Sequence, residues 1–341
     1  MRRIGVLTGG ADCPGLNSVI RSVVHTAMQE EYVVTGIKNG WTGLIENEMR
    51  VLDPRLVSGI LDRGGTILGT SRLIPPLSKE KLDRAVENFK RSGMDALIAV
   101  GGEDTLKIGL ELYEKHGLPI VGVPKSIDNA LSGTDYAFGF DTAVNVATEC
   151  IDRLHTTAES HHRIIVIEVM GRYTGWIALE AGIAGGADII LVPEVPVDMK
   201  EVCEALRMRH ERGKLFSIVV VSEGAKIKGY AQALADDEKK KKHHVGRIGE
   251  LLADIIEEKT GFESRVSVLG HIQRGGTPTA YDRIIGTRFG NKAVELVKQK
   301  QFGKMVSLRD NKLGFVEIRE AVKKHKTIDF DLYEMAKIFT A

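Results

Sequence analysis

Cysteine is scarce in this chain: Cys13, Cys150 and Cys203 are the only three in 341 residues. They are too few and too scattered for a disulfide framework or a zinc site. An excess of one charge is also missing, since 47 basic residues against 46 acidic ones leave a net charge of +1. Nothing in that balance argues for a nucleic-acid partner or for bulk binding to a membrane surface. The one long charge run, Lys239–Lys242 followed by His243-His244, reads as a solvated loop. No apolar stretch is long enough for a signal peptide or a membrane span, and Met1-Arg2-Arg3 leads straight into strand-like Ile4–Leu7. Low-complexity linkers and internal repeats are absent as well. What remains is a composition 43% hydrophobic and 27% charged, typical of a globular protein, with a cytoplasmic location and free thiols expected.

Short apolar runs alternate with longer amphipathic stretches along the whole chain. The candidate strands are Ile4–Leu7, Tyr32–Ile37, Leu97–Val100, Ile120–Val123, Ile164–Val169, Ile189–Val192, Ile218–Val221 and Val266–Leu269; Leu16–Glu30 and Thr142–His155 are two of the helical patterns between them. Runs of Val, Ile and Leu without alternation suit strands covered on both faces, so the fold class is α/β with mostly parallel sheets. The length accommodates two modest domains, and a change of region is expected near residue 140, where Gly139 and Phe140 precede a fresh helix.

Two loops carry most of the chemical information. Gly101-Gly102-Glu103-Asp104-Thr105 and Pro124-Lys125-Ser126-Ile127-Asp128-Asn129 each follow an apolar strand. Ligands of parallel sheets collect beyond the carboxyl ends of the strands. The first loop offers glycines for close approach to a phosphate and two carboxylates for a divalent cation; the second offers a cation and an anion three residues apart. Those are the parts of a magnesium-dependent phosphoryl-transfer site. The plainer alternative is that Asp104 or Thr105 caps the following helix, Asp128 forms a turn and Lys125 lies on the surface. Near the start, Leu7-Thr8-Gly9-Gly10-Ala11-Asp12-Cys13-Pro14-Gly15-Leu16-Asn17 reads as strand, glycine turn and helix. It lacks both the Gly-Lys-Ser/Thr of a Walker loop and the glycine spacing of a dinucleotide fingerprint. Its backbone N–H groups suit an anion, with Asp12 as a plain helix cap in the alternative reading. Further on, His161-His162-Arg163, Met170-Gly171-Arg172, Ser222-Glu223-Gly224 and Ser264-Arg265…Gly270-His271-Ile272-Gln273-Arg274-Gly275-Gly276 place Arg and His beside glycines around strands, as a sugar phosphate requires.

Together these motifs resemble the bacterial-type 6-phosphofructokinase family, over essentially the whole chain. The resemblance implies two doubly wound α/β domains with the active site in the cleft between them. It implies a donor domain at about 1–140 plus 251–303 and a fructose 6-phosphate domain at about 141–250 plus 304–341. It assigns magnesium to Glu103 and catalysis to Asp128 as base, with Lys125 and Ser126 at the transferring phosphoryl group. Donor phosphates match Gly10, Ala11, Arg72, Gly102, Asp104 and Thr105. The sugar phosphate matches Ser126, Asp128, Met170, Gly171, Arg172, Glu223, His271 and Arg274. Arg163 and Arg265 match residues reaching in from a neighbouring subunit, so a homo-oligomer, tetramer or dimer, is implied.

The donor is read from two positions. ATP-dependent members usually have glycine where this chain has Asp104 and Lys125. A carboxylate at 104 stands where the α-phosphate of ATP would lie, and a like charge a few ångströms away costs on the order of 1–4 kcal/mol at effective dielectrics of 80 to 20. Pyrophosphate has no α-phosphate or nucleoside to collide with, and Lys125 offsets its dense charge. The pair therefore resembles the pyrophosphate-dependent branch, whose reaction converts fructose 6-phosphate reversibly to the 1,6-bisphosphate in glycolysis and gluconeogenesis. ATP dependence, or a regulatory subunit that binds sugar phosphate without turnover, are the alternatives. The chain departs from the family at Ala11, where glycine is usual, and at Ala130, where aspartate is usual. At the interface where regulated members bind nucleotide effectors, Arg21, Arg212 and Lys214 match but His25 and His155 replace arginines. A weak effector response is the expectation.

Overall fold

The computed structural model describes residues 2–230 and 247–339. The basic run at 239–244 lies outside the described residues. The described chain divides into two compact units, 1–142 with 274–325, and 143–273 with 326–341.

The first unit is built on a seven-stranded sheet. Its parallel heart consists of β1 (Arg3–Gly9), β2 (Val33–Ile37), β4 (Ala96–Gly101), β5 (Ile120–Pro124) and β10 (Lys304–Arg309). Two antiparallel strands, β3 (Met49–Leu52) and β11 (Lys312–Glu317), close its edges in the order β11-β10-β5-β4-β1-β2-β3. Every residue of β4 and β5 is buried, as unbroken apolar runs require when helices cover both faces. The site is positioned by strand order. From β1 the chain moves outward to β2 and β3, then returns to the other side of β1 for β4 and β5. The loops leaving β1 and β4 therefore diverge, and the crevice at such a switch point is where ligands bind in open parallel sheets.

The second unit carries an all-parallel sheet in the order β7-β8-β6-β9, from β6 (Ile164–Val169), β7 (Ile189–Leu191), β8 (Ser217–Ser222) and β9 (Ser264–Val268). Its own core includes Val166, Val202, Leu206, Val219, Val221, Leu252 and Ile256. The eight strands expected from apolar runs are all present, within one or two residues of their expected ends. The three unexpected ones, β3, β10 and β11, are interrupted by Arg, Lys, Ser or Gly and lack a continuous apolar run.

The expected break near residue 140 coincides with the boundary after Thr142. The later boundaries differ from the expectation. Residues 251–273 belong to the second unit because β9 pairs with β6, and residues 304–325 belong to the first because β10 pairs with β5. A strand goes where its neighbour is, and no local pattern in the chain announces that neighbour.

Helix α5 (Phe140–His161) starts on a buried carboxylate. Asp282 accepts from Gly139 N at 2.8 Å, from Thr142 N at 2.9 Å and from the Thr142 hydroxyl. Asp282→Ala leaves these donors buried without an acceptor, at about 1–3 kcal/mol each, so a loss of about 3 kcal/mol or more is expected in urea unfolding. Burial lifts this carboxyl from 3.8 to about 6. The folded chain therefore binds the proton more tightly than the unfolded chain, and this group's contribution to stability falls as pH rises from about 4 to about 6. The substitution should narrow the difference between urea midpoints at pH 5 and 7. A loss below about 1 kcal/mol would show that the donors find water instead.

Candidate active site

The turn after β1 is held from behind by residues 70–71. Gly10 N donates to Ser71 O at 3.0 Å, and the Thr70 hydroxyl donates to Gly10 O at 2.6 Å. Arg72 follows directly and is exposed. Gly10 has φ 77°, whereas Ala11 is not among the positive-φ residues, so its methyl group is accommodated without backbone strain. Helix α1 (Leu16–Gln29) is capped by Gly15 with no side-chain bond, which removes the reading of Asp12 as its cap.

The turn after β4 runs into α4 (Glu103–His116), whose N-cap is Gly102. Helix α4 thus begins three residues before Leu106, and neither Asp104 nor Thr105 caps it; both acidic residues occupy its first turn, where the helix dipole favours negative charge. Thr105 is buried, and a β-carbon on Gly101 would come within 2.4 Å of it, so only glycine lets strand and helix approach so closely. Asp104 is half-buried, and its side chain makes no hydrogen bond or ion pair among the described residues. Glu103 is clasped from both sides: Lys107 Nζ contacts Oε1, and His325 Nε2 lies 2.7 Å from Oε2. Partial burial pushes its carboxyl up, but the hydrogen bonds from Lys107 and His325 outweigh this and hold it below the usual value. Glu103 is therefore a firm anion.

The loop after β5 places its lysine inside rather than on the surface. Lys125 is 6% exposed, its N–H donates to Gly101 O at 3.1 Å, and its ammonium donates to the carbonyl of Ala11. One of its three donors is thereby used, and the other two have no partner among the described residues. Burial pushes its pKa below the ordinary lysine value, Arg274 adds to that effect, and Cys13, Asp128 and Asp12 oppose it. A buried ammonium with spare donors, set under a glycine turn, has the chemistry to receive an anion. Ser126 Oγ, on the next residue, donates to Asp128 Oδ1 and fixes that carboxylate. Asn129, at φ 50°, turns the chain by donating to Asp135 O at 3.0 Å and accepting from Ala137 N at 3.1 Å. The loops holding Gly10–Ala11, Gly102–Thr105 and Lys125–Asp128 are thus joined by named bonds in one unit.

In the second unit the loops after β6, β8 and β9 form a separate group. Gly171 N donates to Glu223 Oε1 at 3.4 Å, Ser222 Oγ donates to Gly171 O at 2.6 Å, and Met170 N donates to Gln273 Oε1 at 3.3 Å. Gly171 sits at φ 138°, and a β-carbon there would come within 2.4 Å of Ser222 Oγ. Arg172 and His271 are exposed beside these loops, and the Arg172 guanidinium lies over the Tyr173 ring. Arg274, assigned to the first unit, is half-buried.

Arg163 and Arg265 lie elsewhere. Both guanidiniums share Glu263, with Arg163 at 2.9 Å, at the amino ends of β6 and β9. The hydrogen bond from Arg163 holds the Glu263 carboxyl below its usual value. Arg163 Nε is buried without a partner among the described residues. Six strand residues separate Arg163 from Met170, about 20 Å at roughly 3.3 Å each, so within one chain these arginines and the Gly171 loop do not meet around one small ligand.

Three residues of this architecture are invisible to local sequence reasoning: His325 on Glu103, Gln273 beneath Met170 and Asp282 under α5. Gln273 at least falls inside the Gly270–Gly276 motif; His325 and Asp282 belong to no motif and carry no local signal.

Residues 3–297 match the phosphofructokinase family model. The chain is 52% identical to a pyrophosphate–fructose 6-phosphate 1-phosphotransferase of Streptomyces coelicolor, over 99% of both chains. It is 50% identical to an ATP-dependent 6-phosphofructokinase of the same organism, over 98% of this chain and 99% of that one. Among solved structures, phosphofructokinase from Saccharomyces cerevisiae superposes with a TM-score of 0.81 at 32% identity; 95% of this chain is covered, which spans 45% of that longer one. The chain belongs to the phosphofructokinase family.

Proposed function

We propose that this chain transfers a phosphoryl group reversibly from pyrophosphate to the 1-hydroxyl of fructose 6-phosphate, giving fructose 1,6-bisphosphate and phosphate. The observation that carries the choice of donor is Asp104 in the first turn of α4 together with the buried ammonium of Lys125 under the Gly10–Ala11 turn. A short, dense anion gains from that cation, and a longer nucleotide meets the carboxylate. Relatives named for pyrophosphate at 50–52% identity support the reading. Those named for ATP at 46–50% support the second reading, an ATP-dependent kinase. Turnover with pyrophosphate and with ATP at matched magnesium decides between them: a higher kcat/KM for ATP overturns the proposal, and turnover with neither leaves a regulatory subunit.

Asp128 accepts the proton of the 1-hydroxyl, with Ser126 holding its carboxylate in place. Lys125 neutralises the transferring phosphoryl group, while Arg172, His271, Arg274 and Glu223 orient the sugar phosphate. Glu103 fits a magnesium ligand, because it is an anion about a third exposed at a helix start. Among the described residues no group of three or more His, Cys, Asp or Glu stands ready for a metal. The remaining ligands would therefore be donor phosphate oxygens and water, as magnesium commonly takes them. When bound, the ion supplies charge neutralisation at the donor phosphates.

Arg163 and Arg265 complete the sugar-phosphate site of a neighbouring copy in a homo-oligomer. The roughly 20 Å of strand between them and Met170 supports this. Mixing Asp128→Ala chains with Arg163→Ala chains should restore part of the activity, since one intact site can then form across two chains. Verified hybrids that stay inactive would end the shared-site reading.

A further inference from the structure

His325 reaches Glu103 from 222 residues away in the chain, and the segment that delivers it is itself clamped. Ser132 N donates to Ala321 O at 3.3 Å, the Ser132 hydroxyl donates to Lys324 O at 2.9 Å, and Leu131 forms an antiparallel bridge with His325. Leu131 and Ser132 closely follow the loop that carries Ser126, Asp128 and Asn129. A continuous mechanical path therefore runs from the exit of the Asp128 loop, through residues 321–325, to the Glu103 carboxylate. All of it lies in the first unit.

The other partner of Glu103 is a weaker anchor. Lys107 is 41% exposed on the same helix, an i,i+4 pair of the kind worth only about 0.3–0.5 kcal/mol, on a long flexible stem. His325 offers a planar donor on a short stem and a backbone already tied to Leu131 and Ser132. It leaves the remaining lone pairs of Oε2 and Oε1 directed by geometry rather than by chance. Groups that hold a metal ligand from behind in this way typically cost about 10–100-fold in metal affinity or activity when removed.

We propose that His325 is a positioning residue for phosphoryl transfer: it holds Glu103 in the orientation that takes the metal and sets that carboxylate relative to Asp128. The inference rests on the reading of Glu103 as the magnesium ligand. It extends that reading to a residue in the C-terminal part of the chain that no motif contains.

The test is calorimetric binding of magnesium methylenediphosphonate, a pyrophosphate mimic that does not turn over, to the full-length protein. His325→Leu should weaken binding about tenfold, and His325→Asn, whose shorter amide stops short of Oε2, should do the same. His325→Gln, which returns an N–H donor to nearly the same place, should recover most of the loss. Fructose 6-phosphate affinity should stay within about twofold of wild type, which also certifies the fold. The loss should vanish when methylenediphosphonate is titrated without magnesium, and when His325→Leu is made in a Glu103→Ala background. Unchanged binding in His325→Leu, with Glu103→Ala weakened, overturns the inference and leaves the metal assignment standing. An equal loss without magnesium, or in the Glu103→Ala background, overturns it too. If Glu103→Ala itself binds like wild type, the metal assignment fails and the inference falls with it.

Discussion

Asp128→Ala is expected to lower turnover by about 10²–10⁴-fold while leaving fructose 6-phosphate affinity nearly unchanged. The carboxylate is positioned by Ser126 Oγ and lies in a loop whose next residue, Asn129, is locked by bonds to Asp135 and Ala137. Removing it would take away the proposed proton acceptor while leaving the Asn129 bonds in place. The arginines that would hold the sugar phosphate belong to other segments and remain. Steady-state kcat together with equilibrium binding of the sugar phosphate checks both halves. A variant within about threefold of wild type would mean that another group takes the proton.

Asp104→Gly is expected to admit ATP, because it removes bulk and negative charge together from the first turn of α4. The carboxylate has no cation or hydrogen bond of its own among the described residues, so its charge is not neutralised by the protein and acts on whatever anion approaches. Discrimination of this kind works by repelling the wrong donor more than by favouring the right one. A rise in kcat/KM for ATP of about tenfold or more corresponds to removing roughly 1.4 kcal/mol of repulsion, within the range for like charges a few ångströms apart. Lys125 remains as a clamp, so pyrophosphate use should persist in the single variant. Adding Lys125→Gly should remove most of it, since the ammonium buried under Gly10 and Ala11 is then gone. The measurement is kcat/KM for both donors in wild type, the single variant and the double variant. An ATP value unmoved by Asp104→Gly would sink the donor argument and leave family membership untouched.

Both variants concern residues that stand out in the amino-acid sequence itself. Val and Ile runs without alternation mark strands covered on both faces, and glycine followed by acid after such a run singles out a candidate ligand loop. For Lys125, the local pattern is equally compatible with the surface and with a site. Burial rules out the surface, because the ammonium turns inward to the carbonyl of Ala11, and the site role belongs to the proposal. The methyl group of Ala11 is harmless or obstructive according to the sign of φ, and the backbone conformation at that residue makes it harmless.

The division of the chain was only partly legible. A break near residue 140 follows from local composition. The return crossings follow from β9 joining β6 and β10 joining β5, pairings that span about 100 and about 180 residues of sequence.

The α/β class and the family were legible in the sequence, because each rests on short-range patterns of apolarity, glycine and charge, and the same patterns single out the loops proposed to carry the chemistry. Tertiary structure alone decided which strands close each sheet, that Asp282 anchors α5, that Arg163 and Arg265 share Glu263 far from the Gly171 loop, and that His325 holds Glu103. Those outcomes depend on side chains brought together across sheets and long loops. A histidine or an aspartate in isolation carries no mark of the partner it will meet.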